Sequence, residues 1–445
     1  TTDVSTAQAL AGLDDAVICE LPAVMTSNTV LTAGAYYAIT GPTFIGEDVG
    51  SDAGAPIAGR ASANLTIDGG AILFGASGSD FLVVNRGSRI LSNGTSTNPV
   101  IMTARAQLEA APDFNVFSMR GEWGGLIING RAPINNCNVA SAVGGTVECE
   151  ASGEGGTGSY GGASPEDNSG NLLFTQVRHA GFEITDSNEL NGIAFQGVGS
   201  GTTVDSIQVY NNADDGVEFF GGTVNAKRLL LTGNSDDSID WTDGWTGSLQ
   251  FAIVQHAADA GDQGIEADNK GNDNLAQPVS NPTLSNITLI SQTGDIGALI
   301  REGTGVTLVN SIIVGFEDGG LDLDDVATFD NVSGGDVGLA EGIRFESVFL
   351  DNIGPNFIEE AGDPVDLSDT FTTNIVEGTS DLSGESFVMG ASGVVPGPVI
   401  NAVPALDPTV LGLEAGTYLG AVSGADDTSF DGWTYNERDN LVLNE

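Results

Sequence analysis

Short stretches in which apolar and polar residues alternate recur along most of the chain. The segments VDSIQVYNNADDGVEF (204–219) and AKRLLLTGNSDDSIDW (226–241) match each other at a shift of 22 positions. Repeated columns of this kind are typical of a solenoid, in which each turn packs only against its neighbours. The aligned apolar pairs are Ile207 with Leu229, Val209 with Leu231, Val217 with Ile239, and Phe219 with Trp241.

The repeat continues downstream with small insertions. We align Phe251 and Ile253 with the first apolar columns, and after a four-residue insertion Ile265 and Asp268 resume the second columns. Further on, TLSNITLIS (283–291) matches TLVNSIIVG (307–315) at a shift of 24. Apolar and polar residues alternate in short stretches that are separated by Gly, Asn and Asp, and this pattern predicts short strands. Parallel strands stack about 4.8 Å apart. The sequence therefore predicts an all-β protein, a right-handed parallel β-helix of roughly ten turns.

The extent of the repeat also divides the chain into three predicted regions. We assign residues 59–359 to the β-helix, with irregular excursions. Residues 1–58 contain a short Ala/Leu segment that we expect to cover the first turn as an amphipathic helix, because an open β-helix end exposes unpaired backbone groups. Residues 360–445 lose the repeat and carry most of the prolines, so we interpret them as a C-terminal cap or an assembly element.

Several segments resemble one protein family. GEWGGLIINGRAPIN (121–135), the long run from ELNGIAFQ to GSLQF (189–251) and TYLGAVSGADDTSFDGWTYN (417–436) are similar to secreted bacterial β-helix proteins. These are lipoprotein-like or hypothetical proteins of Bacteroidetes and marine Proteobacteria. The resemblance implies a β-helix and implies no established activity. Many members carry a lipidated N-terminal Cys, whereas this chain begins at Thr1.

The charge balance limits the possible partners. Thirteen Lys and Arg stand against 61 Asp and Glu, a formal net charge of −48. Nucleic acid is excluded as a partner, because binding phosphates requires clustered basic residues. An anionic membrane surface is disfavoured for the same reason. The sequence has no apolar stretch of 18 residues, so we predict no transmembrane segment.

The first residues and the cysteines predict where the protein resides. The chain starts without Met or a basic leader, so we expect an extracellular or outer cell-surface protein released by cleavage of a signal peptide. Cys137 and Cys149 bracket a Gly-rich segment without periodicity, where a disulfide would be most useful as a local cross-link. This pairing leaves Cys19 over, and three free thiols are the alternative.

Acidic residues fall on acidic residues in the aligned turns. Two carboxylates about 4.8 Å apart repel by roughly 3.5 kcal/mol at an effective dielectric constant near 20. A hard cation would offset this repulsion, and Ca²⁺ accepts six to eight oxygen ligands in flexible geometry. We therefore predict bound calcium, against the alternative of solvated turn acids that cap backbone amides. The predicted ligands are Asp214, Asp215, Glu218, Asp236, Asp237, Asp240, Asp243, Glu266 and Asp268.

Other oxygen donors fall outside this predicted ligand set. Asp262 and Asn269 converge on the same region. Asp322, Asp324 and Asp325 form a second acidic cluster. Neither cluster matches the EF-hand loop or the nine-residue calcium repeat, so residue spacing alone does not establish a site.

A catalytic interpretation uses the same residues. If the protein is an enzyme, we expect a polysaccharide lyase or glycoside hydrolase in which Asp215 and Asp237 act as acid and base. A polyanionic groove would, however, repel the uronates that many such enzymes cleave. Arg301 is a candidate lyase base, although a single Arg is more often structural. These considerations favour a protein without catalytic residues.

The aromatic residues offer one possible sugar-binding surface. Phe219 and Trp241 share a stacked column, which favours an internal aromatic ladder, whereas Trp245 is the better candidate for an outward face. We therefore predict a non-catalytic, calcium-binding structural or adhesive protein of the cell exterior that assembles with itself into filaments or arrays. The alternative is a β-helix protein that binds or degrades extracellular glycans with its acidic face.

Overall fold

The computed structural model describes most of the chain. The described residues are 17–110, 119–185, 188–291, 296–332, 342–371, 374–378, 389–390, 393–394, 404–424 and 427–435. Three short helices occur among them: α1 (Arg105–Leu108), α2 (Val326–Asn331) and α3 (Leu367–Thr370). None of the helices in this part of the chain is long and apolar enough to span a bilayer.

Strands dominate the architecture. In chain order they are β1 (Ile18–Glu20), β2 (Val24–Met25), β3 (Thr29–Leu31), β4 (Tyr36–Ile39), β5 (Thr43–Ile45), β6 (Asn64–Asp68), β7 (Ile72–Gly75), β8 (Leu82–Val84), β9 (Arg89–Asn93), β10 (Val100–Ala104), β11 (Leu126–Asn129), β12 (Ala151–Ser152), β13 (Ser159–Tyr160), β14 (Gly170–Arg178), β15 (Ile193–Gln196) and β16 (Thr203–Tyr210). They continue with β17 (Val217–Phe220), β18 (Asn225–Thr232), β19 (Ile239–Thr242), β20 (Ser248–Gln255), β21 (Gln263–Ala267), β22 (Thr283–Ile290), β23 (Ile296–Ile300), β24 (Val306–Val309), β25 (Ile312–Val314), β26 (Gly319–Leu323), β27 (Ile343–Glu346), β28 (Val348–Asp351), β29 (Ile375–Glu377), β30 (Met389–Gly390) and β31 (Gly393–Val394).

The strands stack into two long parallel sheets, which confirms the predicted right-handed parallel β-helix. Face 1 is a ten-stranded sheet in which each described turn contributes one strand, as expected for about ten turns: β2, β5, β8, β11, β15, β17, β19, β21, β23 and β26. The second sheet has 17 strands, and its long central strands β14, β16, β18, β20 and β22 bend in the middle. The residues before the bend in each strand form face 2, and the residues after the bend form face 3.

A column of left-handed residues forms the bend between faces 2 and 3. Seven successive turns place a non-glycine residue there with φ between 46° and 63°. Such a conformation costs about 1–2 kcal/mol for a residue with a Cβ, so the packing around the corner must offset it. The column consists of Phe174, Ser206, Arg228, Phe251, Asn286, Asn310 and Ser347.

The register confirms the alignment of the first two turns and corrects the third. Ile207 pairs with Leu229, and Val217 pairs with Ile239, as the shift of 22 predicts. Leu229 pairs with Ala252 rather than with Phe251, so our alignment of Phe251 and Ile253 was wrong by one residue. The turn before β20 holds one extra residue, which moves Ala252 and Val254 into the core and Ile253 to the outside. The predicted shift of 24 between residues 283 and 307 is confirmed.

The parallel ladder extends beyond the region predicted from the repeat. It begins at β1 and ends at β29, whereas we assigned residues 59–359 to the β-helix. The Ala/Leu segment predicted to cap the first turn falls within residues 1–16, outside the described residues. At the other end Leu367 and Phe371 join the hydrophobic core, so α3 and the residues after it cover the last turns.

The described C-terminal residues run along the side of the helix. We call residues 404–424 and 427–435 the strap. Side-chain amides of successive turns bind its backbone: Asn310 donates to the Leu406 carbonyl and accepts from its N–H, at 2.9 and 2.8 Å, and Gln250 binds Glu414 in the same way. The strap also buries Phe430 and Trp433 against the outward residues Leu230 and Ile253. It therefore packs laterally on its own helix, a position that the prediction of a cap or assembly element did not specify.

The amide bonds to the strap lead to a first prediction. Asn310→Gly keeps a residue that tolerates positive φ but removes both bonds to Leu406, a loss of about 1–3 kcal/mol. We expect faster proteolysis within residues 404–424 and an unchanged β-helix. Val410→Ala, at a side chain that is 70% exposed, is the control and should behave as wild type. Equal cleavage rates in all three proteins would contradict the account.

Candidate functional site

The predicted acidic residues come together on face 1 and on the turns that lead into it. Glu218 on β17 pairs with Asp240 on β19, and Asp240 pairs with Glu266 on β21, so three carboxylates occupy one outward column. The turns before β17 and β19 supply two Asp residues each. We call the set Asp214, Asp215, Glu218, Asp236, Asp237, Asp240 and Asp262 the acidic ridge.

The carboxylates of the ridge are close enough to share ligands. Three groups each offer oxygen atoms that all lie within 4.8 Å of one another. Asp215 belongs to two of these groups, and so does Asp236, which makes the ridge continuous. The groups are Asp214, Asp215 and Asp236; Asp215, Glu218 and Asp240; and Asp236, Asp237 and Asp262.

Part of the ridge also supports the backbone. Asp215 Oδ1 accepts the N–H of Asp237 at 3.0 Å, and Asp237 Oδ1 accepts the N–H of Gln263 at 2.6 Å. Each carboxylate therefore caps an amide of the next turn, as the alternative to calcium binding proposed. Solvation, the other half of that alternative, does not hold for Asp215 and Asp237, which are only 6% and 4% exposed, whereas Asp236 and Asp262 are exposed.

Burial makes the ridge electrostatically unfavourable in the ionised form. Burial, followed by the charge of Asp236, raises the pKa of Asp214 to about 7. Burial, followed by the charge of Asp240, raises the pKa values of Asp215 and Glu218 well above their ordinary values. The pKa of Asp240 is raised in the same way, by burial and then by Glu266.

Two buried oxygen atoms at the ridge have no hydrogen-bond partner among the described residues. One is Oδ1 of Asp240, and the other is the side-chain carbonyl oxygen of Asn191, a residue that is 2% exposed. The amide nitrogen of Asn191 donates to Glu218 Oε2 at 2.5 Å, which places this side chain at the ridge. A buried oxygen without a partner costs about 1–3 kcal/mol, so both atoms point to a missing donor or cation.

The positive charge nearest the ridge is already committed. Arg301 binds Glu266 at 2.8 Å and Asp268 at 3.0 Å. Among the described residues no Lys or Arg forms an ion pair with Asp215, Glu218 or Asp240. Glu266 and Asp268, predicted as metal ligands, therefore have a cationic partner within the chain, whereas Asp215, Glu218 and Asp240 have none among the described residues.

A cleft of about 410 Å³ opens over the end of the ridge. Glu218, Asp240, Asp268 and Lys270 line the cleft, together with Tyr160 and Glu154 from the excursion that precedes β14. The excursion is cross-linked by the disulfide between Cys137 and Cys149, which confirms the predicted pair. Within the part of the chain that the structure describes, Cys19 is the free cysteine.

Two predicted oxygen donors are used elsewhere. Asp243 Oδ2 accepts the hydroxyl of Tyr160 at 2.8 Å and the amide of Asn136 at 3.2 Å, so it braces the excursion instead of joining the ridge. Asn269 Oδ1 accepts from Asn135 and from the Ser280 N–H. Its amide nitrogen donates to two carbonyls, those of Asn274 and Ala276.

The prediction from sequence missed some residues of the site. Asn191 lies one turn before Asp215, in a turn that precedes the aligned segments 204–219 and 226–241. Tyr160 and Glu154 lie in a segment without periodicity, which gives no signal of where it folds back. A buried polar residue one period upstream of the acids was the signal that could have identified Asn191.

The aromatic residues form an internal stack. Phe219 lies between Phe195 and Trp245, with ring centroids 5.0 and 4.0 Å apart. Trp241 is also buried, which confirms the internal ladder, whereas the outward position expected for Trp245 was wrong because this side chain is fully buried. Its indole N–H donates to the Val224 carbonyl at 3.1 Å, which holds the ring inside the turn.

Comparisons with known proteins bear on the family of the chain. A comparison with curated proteins and with solved structures found no match. The model of the pectate-lyase-like β-helix domain family matches residues 23–388, which includes nearly all the turns described above and the whole acidic ridge. The chain therefore belongs to the family of pectate-lyase-like β-helix domains.

Proposed function

We propose that the protein is a non-catalytic, calcium-binding β-helix protein of the cell exterior that acts as a structural or adhesive subunit. One observation carries the proposal: the buried carboxylates of Asp215 and Glu218 converge on an Asp240 oxygen without a hydrogen-bond partner, and no Lys or Arg among the described residues forms an ion pair with these three acids. Ca²⁺ prefers carboxylate and carbonyl oxygens in flexible arrangements. Asp215, Glu218 and Asp240, with the carbonyl of Asn191, provide such a donor set.

The geometry favours a second ion beside the first. Asp214 and Asp236 join Asp215 in another group within the same 4.8 Å limit. Because Asp215 belongs to both groups, one carboxylate bridges two cations in this arrangement. A row of ions along the ridge would neutralise the repulsion that burial and stacking create.

The arrangement of the candidate catalytic residues supports the absence of catalysis. Asp215 and Asp237 each hold a backbone amide of the next turn, so neither carboxylate is free to cycle between acid and base. The carboxylates of Asp268 and Glu266 raise the pKa of Arg301, although burial opposes this. Arg301 therefore keeps its proton and is a poor candidate for a lyase base.

The cleft supports an anionic glycan as the adhesive partner. A cation held by Glu218 and Asp240 would face the cleft, where an acidic sugar could complete its coordination. The negative charge that would repel a uronate from the bare ridge is then reversed locally. The family match also supports a polysaccharide as the partner.

The location and the assembly of the protein are part of the proposal. The disulfide supports an oxidising compartment outside the cytoplasm. Leu367 and Phe371 cover the last turns, so end-to-end growth into filaments would require another surface at that end. Light scattering with and without Ca²⁺ tests self-assembly, and a monomer at all calcium concentrations would contradict it.

The test of adhesion uses a panel of neutral and acidic polysaccharides. We expect affinity electrophoresis to show retardation by acidic polymers in Ca²⁺ and none in chelator. Asp240→Asn should lose the retardation, whereas Glu166→Gln, at an exposed acid in the loop before β14, should retain it. Retardation that is unchanged both by chelation of calcium and by Asp240→Asn would contradict the proposal.

A second candidate function is polysaccharide cleavage, which the family match and the open cleft favour. New reducing ends, or the ultraviolet absorbance of unsaturated sugars, would reveal it. Loss of such a product in Asp215→Asn or Asp237→Asn, in variants that retain the wild-type fold, would assign these residues as acid and base.

The raised pKa values predict how stability depends on pH. The pKa of Asp214 is about 7 in the folded protein and 3.8 as the ordinary value, so the folded state binds more protons between these limits. Stability of the calcium-free protein should therefore fall as pH rises from about 4 to about 7. Asp214→Asn should make the melting temperature less dependent on pH, and Asp273→Asn should not. A melting temperature that rises across this range would contradict the prediction.

A further inference from the structure

A second acidic group lies at the C-terminal end of face 1. Asp322 and Asp324 occupy outward positions of β26 and the residue after it, and Glu360 comes from the segment that follows β28. Their carboxylates offer oxygen atoms that all lie within 4.8 Å of one another. Leu299 pairs with both Glu266 and Asp322, so an apolar residue separates this group from the column that contains the ridge.

Backbone hydrogen bonds hold the segment of Glu360 against β26. The N–H of Leu321 donates to the carbonyl of Asn356 at 3.0 Å, and the N–H of Ile358 donates back to Leu321 at 2.9 Å. Gly320 donates to Pro355 in the same direction. These bonds place Glu360 two residues beyond the last contact, beside the carboxylates of β26.

A buried atom at this group lacks a partner. Asp322 is 5% exposed, and its Oδ1 has no hydrogen-bond partner within the described part of the chain. This is independent of the clustering of the acids, because a carboxylate turned towards water would satisfy its oxygen atoms with solvent. A buried carboxylate oxygen without a donor points to an absent water or ion at this position.

Among the described residues, no Lys or Arg forms an ion pair with Asp322. Asp324, Glu360 and Asp363 are the charged groups that act on it, and all three are acids. Arg301, which acts on Asp324, is bound to Asp268 and Glu266.

The remaining acids of the segment serve local turns. Asp363 Oδ2 accepts the N–H of Glu360 at 2.6 Å, and Glu359 Oε1 accepts the N–H of Leu367 at 2.8 Å. Glu359 thus supports the start of α3. The carboxylate of Glu360 lies beside those of Asp322 and Asp324.

We propose that a calcium ion bound by Asp322, Asp324 and Glu360 clamps the C-terminal segment onto the last turn of face 1. The ligands join two parts of the chain that also meet through backbone hydrogen bonds and through Phe357, which packs against the core. The clamped segment leads directly into α3, whose Leu367, with Phe371, covers the end of the core. Closure of this end of the β-helix therefore depends on the cation, independently of the ridge.

The test is hydrogen exchange of the metal-stripped, full-length protein with and without Ca²⁺. We expect calcium to slow exchange of the amides of Ile358 and Phe371 by about tenfold in the wild type. Glu360→Gln and Asp322→Asn should abolish this effect. Glu317→Gln, which removes an exposed acid from the turn before β26, should preserve it, and so should Asp240→Asn on the ridge.

The outcomes separate the possibilities. If Asp322→Asn misfolds because the residue is buried, Glu360→Gln decides, since Glu360 is exposed and isosteric replacement leaves the backbone bonds intact. No slowing in the wild type would overturn the proposal, and so would equal slowing in Glu360→Gln. Loss of the effect in Asp240→Asn would also overturn it, because the protection would then come from the ridge.

Discussion

Removal of divalent cations is expected to lower the melting temperature of the protein by several degrees at neutral pH. Burial raises the pKa values of the ridge carboxylates, so their ionisation at neutral pH is costly, and a bound cation offsets this cost. A ligand present at 100 times its dissociation constant stabilises the folded state by about 2.7 kcal/mol, and two such ions contribute about twice that.

The matched variants make this result specific. Asp240→Asn neutralises a buried carboxylate at the centre of the ridge, so its melting temperature should respond much less to chelator. Asp273→Asn removes the same charge at an exposed position and should respond like the wild type. A wild-type melting temperature that is the same in Ca²⁺ and in chelator would contradict the account.

Replacement of Phe219 by Ala is expected to cost about 3–5 kcal/mol of the free energy of unfolding. The ring is fully buried and stacks on both Phe195 and Trp245, so no neighbour can fill the space without leaving its own contact. Glu218 precedes it on the same strand, and we therefore expect weaker calcium binding as well.

Urea unfolding with and without Ca²⁺ measures both effects. Phe219→Leu should lose less stability, because the aliphatic side chain retains most of the volume. Val30→Ala, at a position 56% exposed, should change stability by less than about 0.5 kcal/mol. A loss below about 1 kcal/mol in Phe219→Ala would show that the aromatic stack does not support face 1.

The sequence predicted the fold where the repeat is regular. The shift of 22 placed Glu218 over Asp240 and Val217 over Ile239, and the register has both pairs. The predicted alignment is wrong at β20, where one extra residue in a turn changes the shift to 23. Ile253 misled the alignment because it is apolar and faces outward, and its cover is the strap, which has no repeat of its own.

Other features depended on contacts that no local pattern encodes. Trp245 lies in a turn of Gly and Asp residues that is typical of the surface, yet Gly244, with φ of 91°, lets the chain direct the ring inward. The alignment predicted which acids meet, but not that they are buried. Asn191, Tyr160 and Glu154 reach the ridge and its cleft from segments outside the aligned turns.

The most direct test of the central claim is a calorimetric titration of the metal-stripped protein with Ca²⁺. The account predicts saturable binding of calcium at neutral pH, with at least one ion lost in Asp240→Asn and none lost in Asp273→Asn. A wild-type protein that binds no calcium would contradict it. So would an Asp240→Asn variant with the same number of ions and the same affinities as the wild type.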